Sequence, residues 1–520
     1  MTTNPDSHRF ARHAGWLVVV LALAGCAGVP RVEHETRMVA WPHPEATPLG
    51  GFFVERQPDP ALSGFLLLDD PRDAFRIRYG AAALATRTLD LQYYLWKGDV
   101  TGRLLLWRAL QAADRGVRVR ILIDDIYHTG RDDTYALIAA HPNIDLRVFN
   151  PMGNRSAGRH LNYVLNRRQL NHRMHNKIFL VDNAVAVLGG RNIGDDYFGI
   201  DPKLNFHDLD VLAVGPIAAE AGAAFDLYWN SPTAVPIEQL NGYAVDASDL
   251  ATFQNTLTDQ LRSEIGAIPY EVPGSAAEID ATLERLASHL TWAHARIVVD
   301  PLERFAGEES AFNALGREIA AAADEMVTIQ TAYLIPQEQA IAGMGELVDR
   351  GVRVRVMTNS LMSNNHVSVH AHYRKYRKAI LEAGVELYEL RADAALLEHY
   401  KEEDPRLSAS HSGLHTKAFV VDDDLAVIGS YNMDPRSNLW NSEIALVVYG
   451  EEFGRKVLTE MNEEFQSDNA FRVELDSDGD VIWRLACDDC TQVWTKEPDS
   501  TWWKRFSAGF IGILPIESEL

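Results

Sequence analysis

Cysteine is almost absent: 520 residues carry three, Cys26, Cys487 and Cys490. That excludes a disulfide-built scaffold and any thiolate-rich metal cluster. Cys487 and Cys490 form a Cys-Asp-Asp-Cys run that would be half of a zinc site, but no second half lies nearby. A local disulfide, or two free thiols, is the expectation. Positive charge is also short, with 49 basic against 73 acidic residues and a net charge of −24. Wholesale binding to DNA or RNA needs a positive field, so no nucleic acid is expected as a partner. A local basic cleft for one phosphate group remains open. Long apolar runs are missing too, since none reaches the roughly 20 residues that cross a bilayer. What remains is 47% hydrophobic and 23% charged. That is the composition of an ordinary globular protein, long enough for roughly two to four domains.

The N-terminus reads as an export signal. Arg9, Arg12 and His13 precede the apolar run Trp16 to Leu23, which ends in Leu23-Ala24-Gly25-Cys26. This resembles the lipobox of bacterial lipoproteins, in which the cysteine is acylated and becomes the mature N-terminus. A plain signal peptide or a short anchor is the alternative. Several acyl chains on Cys26 would hold the chain to a membrane on the exported, periplasmic side of a bacterial envelope, since one chain alone binds only marginally.

A short stretch occurs twice. His175-Asn176-Lys177 leads to Asp182 and on to Gly189-Gly190-Arg191-Asn192, and His415-Thr416-Lys417 leads to Asp422 and on to Gly429-Ser430-Tyr431-Asn432. Both fit H-x-K-x4-D-x6-G-[GS]-x-N, a pattern expected by chance about once in a million start positions. The surrounding text repeats as well. Asp349 to Arg355 is identical to Asp114 to Arg120, Gln330 answers Gln92, and the segment from Val385 to Glu389 answers Ile144 to Val148. Near-constant offsets over most of a lobe mean a duplication.

Helical and strand patterns alternate from Ala74 onward: a strand over Thr88 to Leu95, a helix over Gly102 to Arg115, strands over Val117 to Ile123 and Asp145 to Phe149. Alternation of this kind implies βαβ units. The expected fold is α/β, two duplicated lobes, each a mostly parallel sheet flanked by helices, related by a pseudo-twofold axis with the active site between them. The expected organisation is a signal peptide over 1–26, a tether over 27–60, lobe 1 over 61–245 with its motif at 169–196, a connecting segment over 246–290, lobe 2 over 291–470 with its motif at 409–436, and a C-terminal tail over 471–520. The tail carries Trp502-Trp503-Lys504-Arg505-Phe506 and Phe510 to Pro515. Aromatics beside cations suit a membrane-interface helix, and a helix docked on the core suits them equally. The run from His370 to Lys378 reads as a charged helix face at the surface, with contact to lipid phosphates or acyl-chain edges as the alternative.

Alternation along a strand points His175 and Lys177 the same way, and likewise His415 and Lys417. Asp182 and Asp422 fall in turns, where they support or balance charge rather than react. Asn192 and Asn432, at expected helix starts, and the Ser430 hydroxyl are candidates to bind phosphate oxygens. Two histidines, two lysines and two asparagines make a phosphodiester site that needs no metal and no cofactor. One neutral histidine attacks phosphorus, the other hands a proton to the leaving oxygen, and the lysines balance phosphoryl charge. A neutral nucleophilic imidazole needs an acceptor on its other nitrogen. Aligning Asp208-Leu209-Asp210-Val211 with Glu443-Ile444-Ala445-Leu446 makes Asp208 and Glu443 the candidates.

These residues resemble the two HKD motifs of the phospholipase D superfamily, over roughly residues 60–520. Within it the chain looks closest to bacterial cardiolipin synthases of the C type. The text that carries this is Gln92-Tyr93-Tyr94-Leu95-Trp96, Asn171 to Lys177, Gly189 to Asp195, Phe206 to Val211, Asp434-Pro435-Arg436-Ser437 and Leu514-Pro515-Ile516-Glu517. The resemblance implies a phosphatidyl-histidine on His175 with His415 as acid and base. It implies transfer of a phosphatidyl group to phosphatidylglycerol, from a second phosphatidylglycerol or from phosphatidylethanolamine, at a membrane surface. A phospholipase D that uses water as acceptor, a metal-independent nuclease and a non-catalytic envelope protein are the rival readings. A protein partner is not specified by the sequence.

Overall fold

The computed structural model describes residues 30–128, 130–153, 155, 166–240, 245–268, 271, 276–487 and 490–520. The expected export signal with Cys26 lies outside them, as do the side chains of Cys487 and Cys490, whose backbones face each other across a hairpin.

Lobe 1 is built from β1 (Ser63–Leu68), α1 (Pro71–Leu84), β2 (Thr88–Tyr93), α2 (Val100–Asp114), β3 (Arg118–Asp124), β4 (Ile144–Phe149), β5 (Ile178–Val181), β6 (Val185–Gly189), β7 (Asp210–Val214) and α3 (Pro216–Trp229). Two helices, α4 (Ala247–Glu264) and α5 (Ala276–Ser288), lead to lobe 2. There β8 (Thr291–Val299), α6 (Ala311–Ala322), β9 (Met326–Thr331), α7 (Glu338–Asp349), β10 (Arg353–Asn359), β11 (Glu386–Leu390), β12 (Lys417–Val421), β13 (Leu425–Gly429), β14 (Ile444–Tyr449) and α8 (Glu451–Glu464) follow in the same order. The ladders order lobe 1 as β4-β3-β2-β5-β6-β7-β1. Lobe 2 has the matching order β11-β10-β9-β12-β13-β14-β8. A short antiparallel ladder, Ser63↔Ala293 to Phe65↔Thr291, joins β1 to β8.

The duplicated α/β lobes stand as expected, but the sheets are mixed rather than mostly parallel. Only β2-β3-β4 and β9-β10-β11 run parallel, and every other ladder named above is antiparallel. The reason lies in the motif itself. Three residues separate β5 from β6 and three separate β12 from β13, and so short a link permits only a hairpin.

Both strands of each hairpin read as continuous apolar runs because each of their faces is covered. Phe179, Val181, Val185 and Val187 face the core of lobe 1, while Leu180, Ala186 and Leu188 face a second core shared with the other lobe. Lobe 2 contributes Ala418, Val420, Ala426, Ile428 and Leu446 to that shared core. Alanines at Ala186, Ala213, Ala418 and Ala426 let the lobes approach closely.

Asp182 and Asp422 belong to this framework and not to the chemistry. Each sits at positive φ (52° and 56°) in the hairpin turn. Asp182 accepts from the backbone N–H groups of Thr86, Arg87 and Thr88 at 2.7 to 3.2 Å and from the Thr86 hydroxyl at 2.8 Å. Asp422 accepts from the N–H groups of Asp324, Glu325 and Met326 at 2.7 to 3.0 Å. Each carboxylate thus clamps the hairpin to the start of the neighbouring central strand. Asp182→Ala leaves these donors without acceptors and is expected to cost about 3 kcal/mol. Asp422→Ala, at a half-exposed site, costs less, and denaturant midpoints measure both.

Candidate active site

The site is made where the lobes exchange short strands. Arg173–Met174 of lobe 1 pairs in parallel with Asn441–Ser442 of lobe 2, and His411–Leu414 of lobe 2 pairs in parallel with Leu204–His207 of lobe 1. These reciprocal pairings are the pseudo-twofold relation in local form. His175 and His415 each follow one such strand, and the carboxylates Glu443 and Asp208 follow the other. The histidines therefore lie in breaks between strands, not within one long strand.

The reciprocity carries through to the side chains. His175 Nδ1 donates to Glu443 Oε2 at 2.7 Å, and His415 Nδ1 donates to Asp208 Oδ2 at 2.6 Å. Each histidine is thus held by the carboxylate of the other lobe. Its amide is held there too, His175 N on Ser442 O at 2.9 Å and His415 N on His207 O at 2.7 Å. Lys177 Nζ donates to the His175 carbonyl at 2.5 Å, and Lys417 Nζ donates to that of His415.

The two halves are not equivalent. Glu443 accepts from His175 and the Ser430 hydroxyl on Oε2, and from the Ser437 hydroxyl and Asn441 Nδ2 on Oε1. Asp208 accepts from His415 and the Leu209 amide. Gly190 stands where Ser430 does because Asp208 fills the space: a Cβ there would lie 2.2 Å from Asp208 Oδ1. His175, Lys177 and Ser430 thus draw Glu443 below the usual carboxylate range against the effect of its burial. Burial pushes Asp208 up to about 6.

All four basic groups are deeply buried, and burial lowers each of them. His175 falls to about 4, with Glu443 opposing and the lysines adding to the fall, and His415 falls well below its ordinary value. Lys177 falls to about 7 and Lys417 to about 8. An empty centre at neutral pH therefore holds neutral imidazoles, each with its Nδ1 proton on a carboxylate and its Nε2 lone pair free for chemistry. An anion bound between them would reverse the balance, restoring charge to the lysines and basicity to the imidazoles.

The expected phosphate ligands fare differently. Asn192 Nδ2 donates to the Tyr197 hydroxyl at 3.0 Å and its Oδ1 accepts from the Leu95 amide at 3.2 Å. Asn432 is buried, and its backbone N–H donates to the Ser437 hydroxyl at 3.3 Å. Neither heads a helix: Asp434 caps the short helix Pro435–Leu439, and a 3-10 turn, Asp195–Tyr197, follows Asn192. The Ser430 hydroxyl is held by Glu443, so it supports the carboxylate instead of a phosphate.

Other residues of the site were not singled out from the sequence. Tyr94 meets the His175 ring edge-on at 4.8 Å and lies 5.7 Å from Lys177 Nζ. Tyr333 stands 6.4 Å from the His415 ring and 5.9 Å from Lys417 Nζ. They occupy like places, but Tyr94 is two residues past Gln92 and Tyr333 three past Gln330, so aligning the repeats does not pair them. Asp124 and Asn359 are different, because the repeat does align them. Asp124 holds the Met174 amide at 2.9 Å and the buried Arg173 guanidinium, and Asn359 holds the Leu414 amide at 2.8 Å. Both fix the residue just before a motif histidine. Among the described residues no cluster of three or more His, Cys, Asp or Glu side chains is placed to hold a metal ion.

A family model described as cardiolipin synthase, PLD-like domain, matches residues 81–229 and 315–469. Each segment runs from the helix before a lobe's first central strand to the end of the helix that follows its hairpin sheet. Cardiolipin synthase C of Escherichia coli (strain K12) is 36% identical over 469 residues, 88% of this chain and 96% of that protein. Cardiolipin synthase A of Pseudomonas entomophila (strain L48) is 26% identical over 413 residues, 79% of this chain and 70% of that protein. The crystal structure of phosphatidylserine synthase from Haemophilus influenzae Rd KW20 has a TM-score of 0.53 at 14% identity, covering 89% of this chain and 98% of that chain. At that identity it speaks to the fold alone.

Two outcomes follow from the electrostatics. Glu443→Gln keeps the shape but offers His175 an amide in place of a charge, and turnover is expected to fall at least about 100-fold. A lysine depressed to about 7 from 10.5 destabilises the fold fully below pH 7 and progressively less as pH rises towards 10.5. Lys177→Met should therefore melt a few degrees above the wild type at pH 6, with the gap closing by pH 10, as read by thermal denaturation across pH.

Proposed function

Because the chain belongs to the phospholipase D-like family of the cardiolipin synthases, we propose that it is a phosphatidyltransferase that makes cardiolipin on phosphatidylglycerol. The observation that carries this reading is the crossed pair of histidine–carboxylate bonds flanked by two buried lysines. A centre of that kind exchanges groups on a phosphodiester through a covalent intermediate without a metal.

His175 is the nucleophile in this reading. Its Nε2 attacks the phosphorus of a donor phospholipid, and the bond from phosphorus to the headgroup oxygen breaks. His415, which takes up a proton from solvent as the anionic donor binds, gives that Nε2 proton to the oxygen, so glycerol or ethanolamine leaves as the free alcohol. A phosphatidyl group now sits on His175, whose ring is cationic and rests on the ionised Glu443. In the second half a hydroxyl of phosphatidylglycerol gives its proton to His415 and attacks the same phosphorus. The P–N bond breaks, cardiolipin forms, and both histidines return to their starting states. Lys177 and Lys417 balance the charge on the phosphoryl oxygens, with Asn192 and Asn432 beside them.

The asymmetry of the two carboxylates supports this assignment over its reverse. Four donors hold Glu443 ionised, which suits the histidine whose ring must carry a positive charge through an intermediate. Asp208 gives weaker support, so an imidazolium on His415 releases its proton readily, which suits an acid. Acylation of Cys26 would hold this centre against a membrane on the exported side of the envelope.

Water as acceptor would give phosphatidic acid through the same first half. Lipid mass spectrometry of cells expressing the wild type or His175→Ala separates the outcomes. Cardiolipin is expected to rise with the wild type alone. Phosphatidic acid as the sole new product would make the enzyme a hydrolase, and no change with either would remove the catalytic reading.

A further inference from the structure

The described residues include a concentrated apolar surface that the chemistry does not use. Six large hydrophobic side chains lie exposed within thirteen residues: Trp502, Trp503, Phe506, Phe510, Ile513 and Leu514. Four of them sit on α9 (Trp502–Ile511), where Thr501 caps the N-terminus through the Lys504 amide. Trp502 stacks on Phe506 at 5.2 Å and meets Trp503 edge-on at 4.5 Å, so the rings form one projecting comb. Trp503 is 69% exposed and Ile513 81%. Side chains of this size scattered singly need no explanation, but a contiguous set does.

The helix is nevertheless firmly seated. Its opposite face, Ala508 with Ile511, packs on Leu361, Val367 and Ala371. The contact is close: a Cβ at Gly512 would lie 2.9 Å from the Ala371 carbonyl. Just upstream, Glu497 bonds the buried Arg377 and His370, and Leu514 O accepts from His372. The run from His370 to Lys378 is thus not the surface helix face expected from its charges. His370, His372 and Arg377 are buried as the mount for α9, while Arg374, Lys375 and Lys378 remain outside.

The chain then runs from this comb to the reacting centre. Glu517 bonds Lys375 and Tyr376, Ser518 O accepts from Trp440 Nε1 at 2.6 Å, and Leu520 O accepts from the Arg436 amide at 2.8 Å. Glu519 pairs with Arg167 of lobe 1. Trp440 O in turn accepts from the Arg173 amide, two residues before His175. On the other side, the helix that seats α9 begins at Val367, next to His366, whose ring meets Tyr333 at 5.5 Å over Lys417.

We infer that α9 and the tail behind it are a lipid-docking surface that seats the interlobe active site on a phospholipid bilayer. The choice of occupant rests on the phospholipid substrate proposed above and on charge. Arg374, Lys504 and Arg505 flank the comb in a chain of net charge −24, and the neighbouring Glu517 and Glu519 are paired with Lys375 and Arg167. Aromatics at headgroup level with cations beside them are the composition of a bilayer interface.

The test uses the full chain in vesicles of phosphatidylcholine and phosphatidylglycerol that carry a photoactivatable probe in the acyl region, with cross-linked peptides mapped by mass spectrometry. Labelling over 502–514 is expected to exceed that at Val493 and Tyr449, exposed apolar side chains elsewhere, at least about tenfold. Labelling no higher than at those two sites overturns the inference, and so do chain-to-chain cross-links through 502–514 in place of lipid. A second arm compares substrates. The double variant Trp503→Ser/Phe510→Ser should lose about tenfold in turnover of vesicle lipid and keep the wild-type rate on monomeric dihexanoyl phosphatidylglycerol. An equal loss on both substrates overturns the inference. If the wild type turns over neither lipid, the transferase reading fails, and the labelling still decides the docking surface on its own.

Discussion

The bonds from His175 to Glu443 and from His415 to Asp208 are the constraint on which the rest depends. Each runs from one lobe to the other, so neither lobe contains an oriented histidine by itself. The exchanged strands, the shared core of Leu188, Val211, Ile428 and Leu446, and the alanines that bring the sheets together all serve to hold two donor–acceptor pairs at hydrogen-bond distance. A shift of the lobes by an ångström would break both pairs at once, because the same interface sets them.

That interface also explains why the site is electrostatically strained when empty. Two lysines, two imidazoles and two carboxylates are taken out of water together, and an unpaired buried charge costs on the order of several kcal/mol. The two carboxylates cannot satisfy four basic groups, so the histidines and lysines all drop towards neutrality. A phosphodiester supplies the missing negative charge. Binding and activation are then one event, since the anion that is to react is also what recharges the lysines. Stability is given up at the centre in return for this responsiveness, as functional sites commonly do.

Much of this was legible in the sequence. The repeat gave two lobes, and the motif spacing gave the histidines, the lysines and the turns that hold Asp182 and Asp422. Aligning the copies picked out Asp208 and Glu443, and it also pairs Asp124 with Asn359. Other parts were hidden for identifiable reasons. Strand direction was misjudged because apolar runs look alike in parallel and hairpin strands when both faces are buried. Tyr94 and Tyr333 escaped because a one-residue difference in the loop shifts them out of alignment. Ser430 looked like a phosphate ligand because its spacing fits one, and only the longer reach of Glu443 over Asp208 turns its hydroxyl aside.

The sequence by itself determined the chemical inventory and its duplication, because residue types at fixed short spacing are a property of the chain. It also set the side-chain alternation that buries both faces of the motif hairpins. Which carboxylate serves which histidine was decided by the tertiary structure alone, since His175 and Glu443 are 268 positions apart and meet only through a strand exchanged between lobes. The inequality of the two halves was decided there as well. Four donors converge on Glu443 from Ser430, Ser437, Asn441 and His175, and no local spacing announces that convergence.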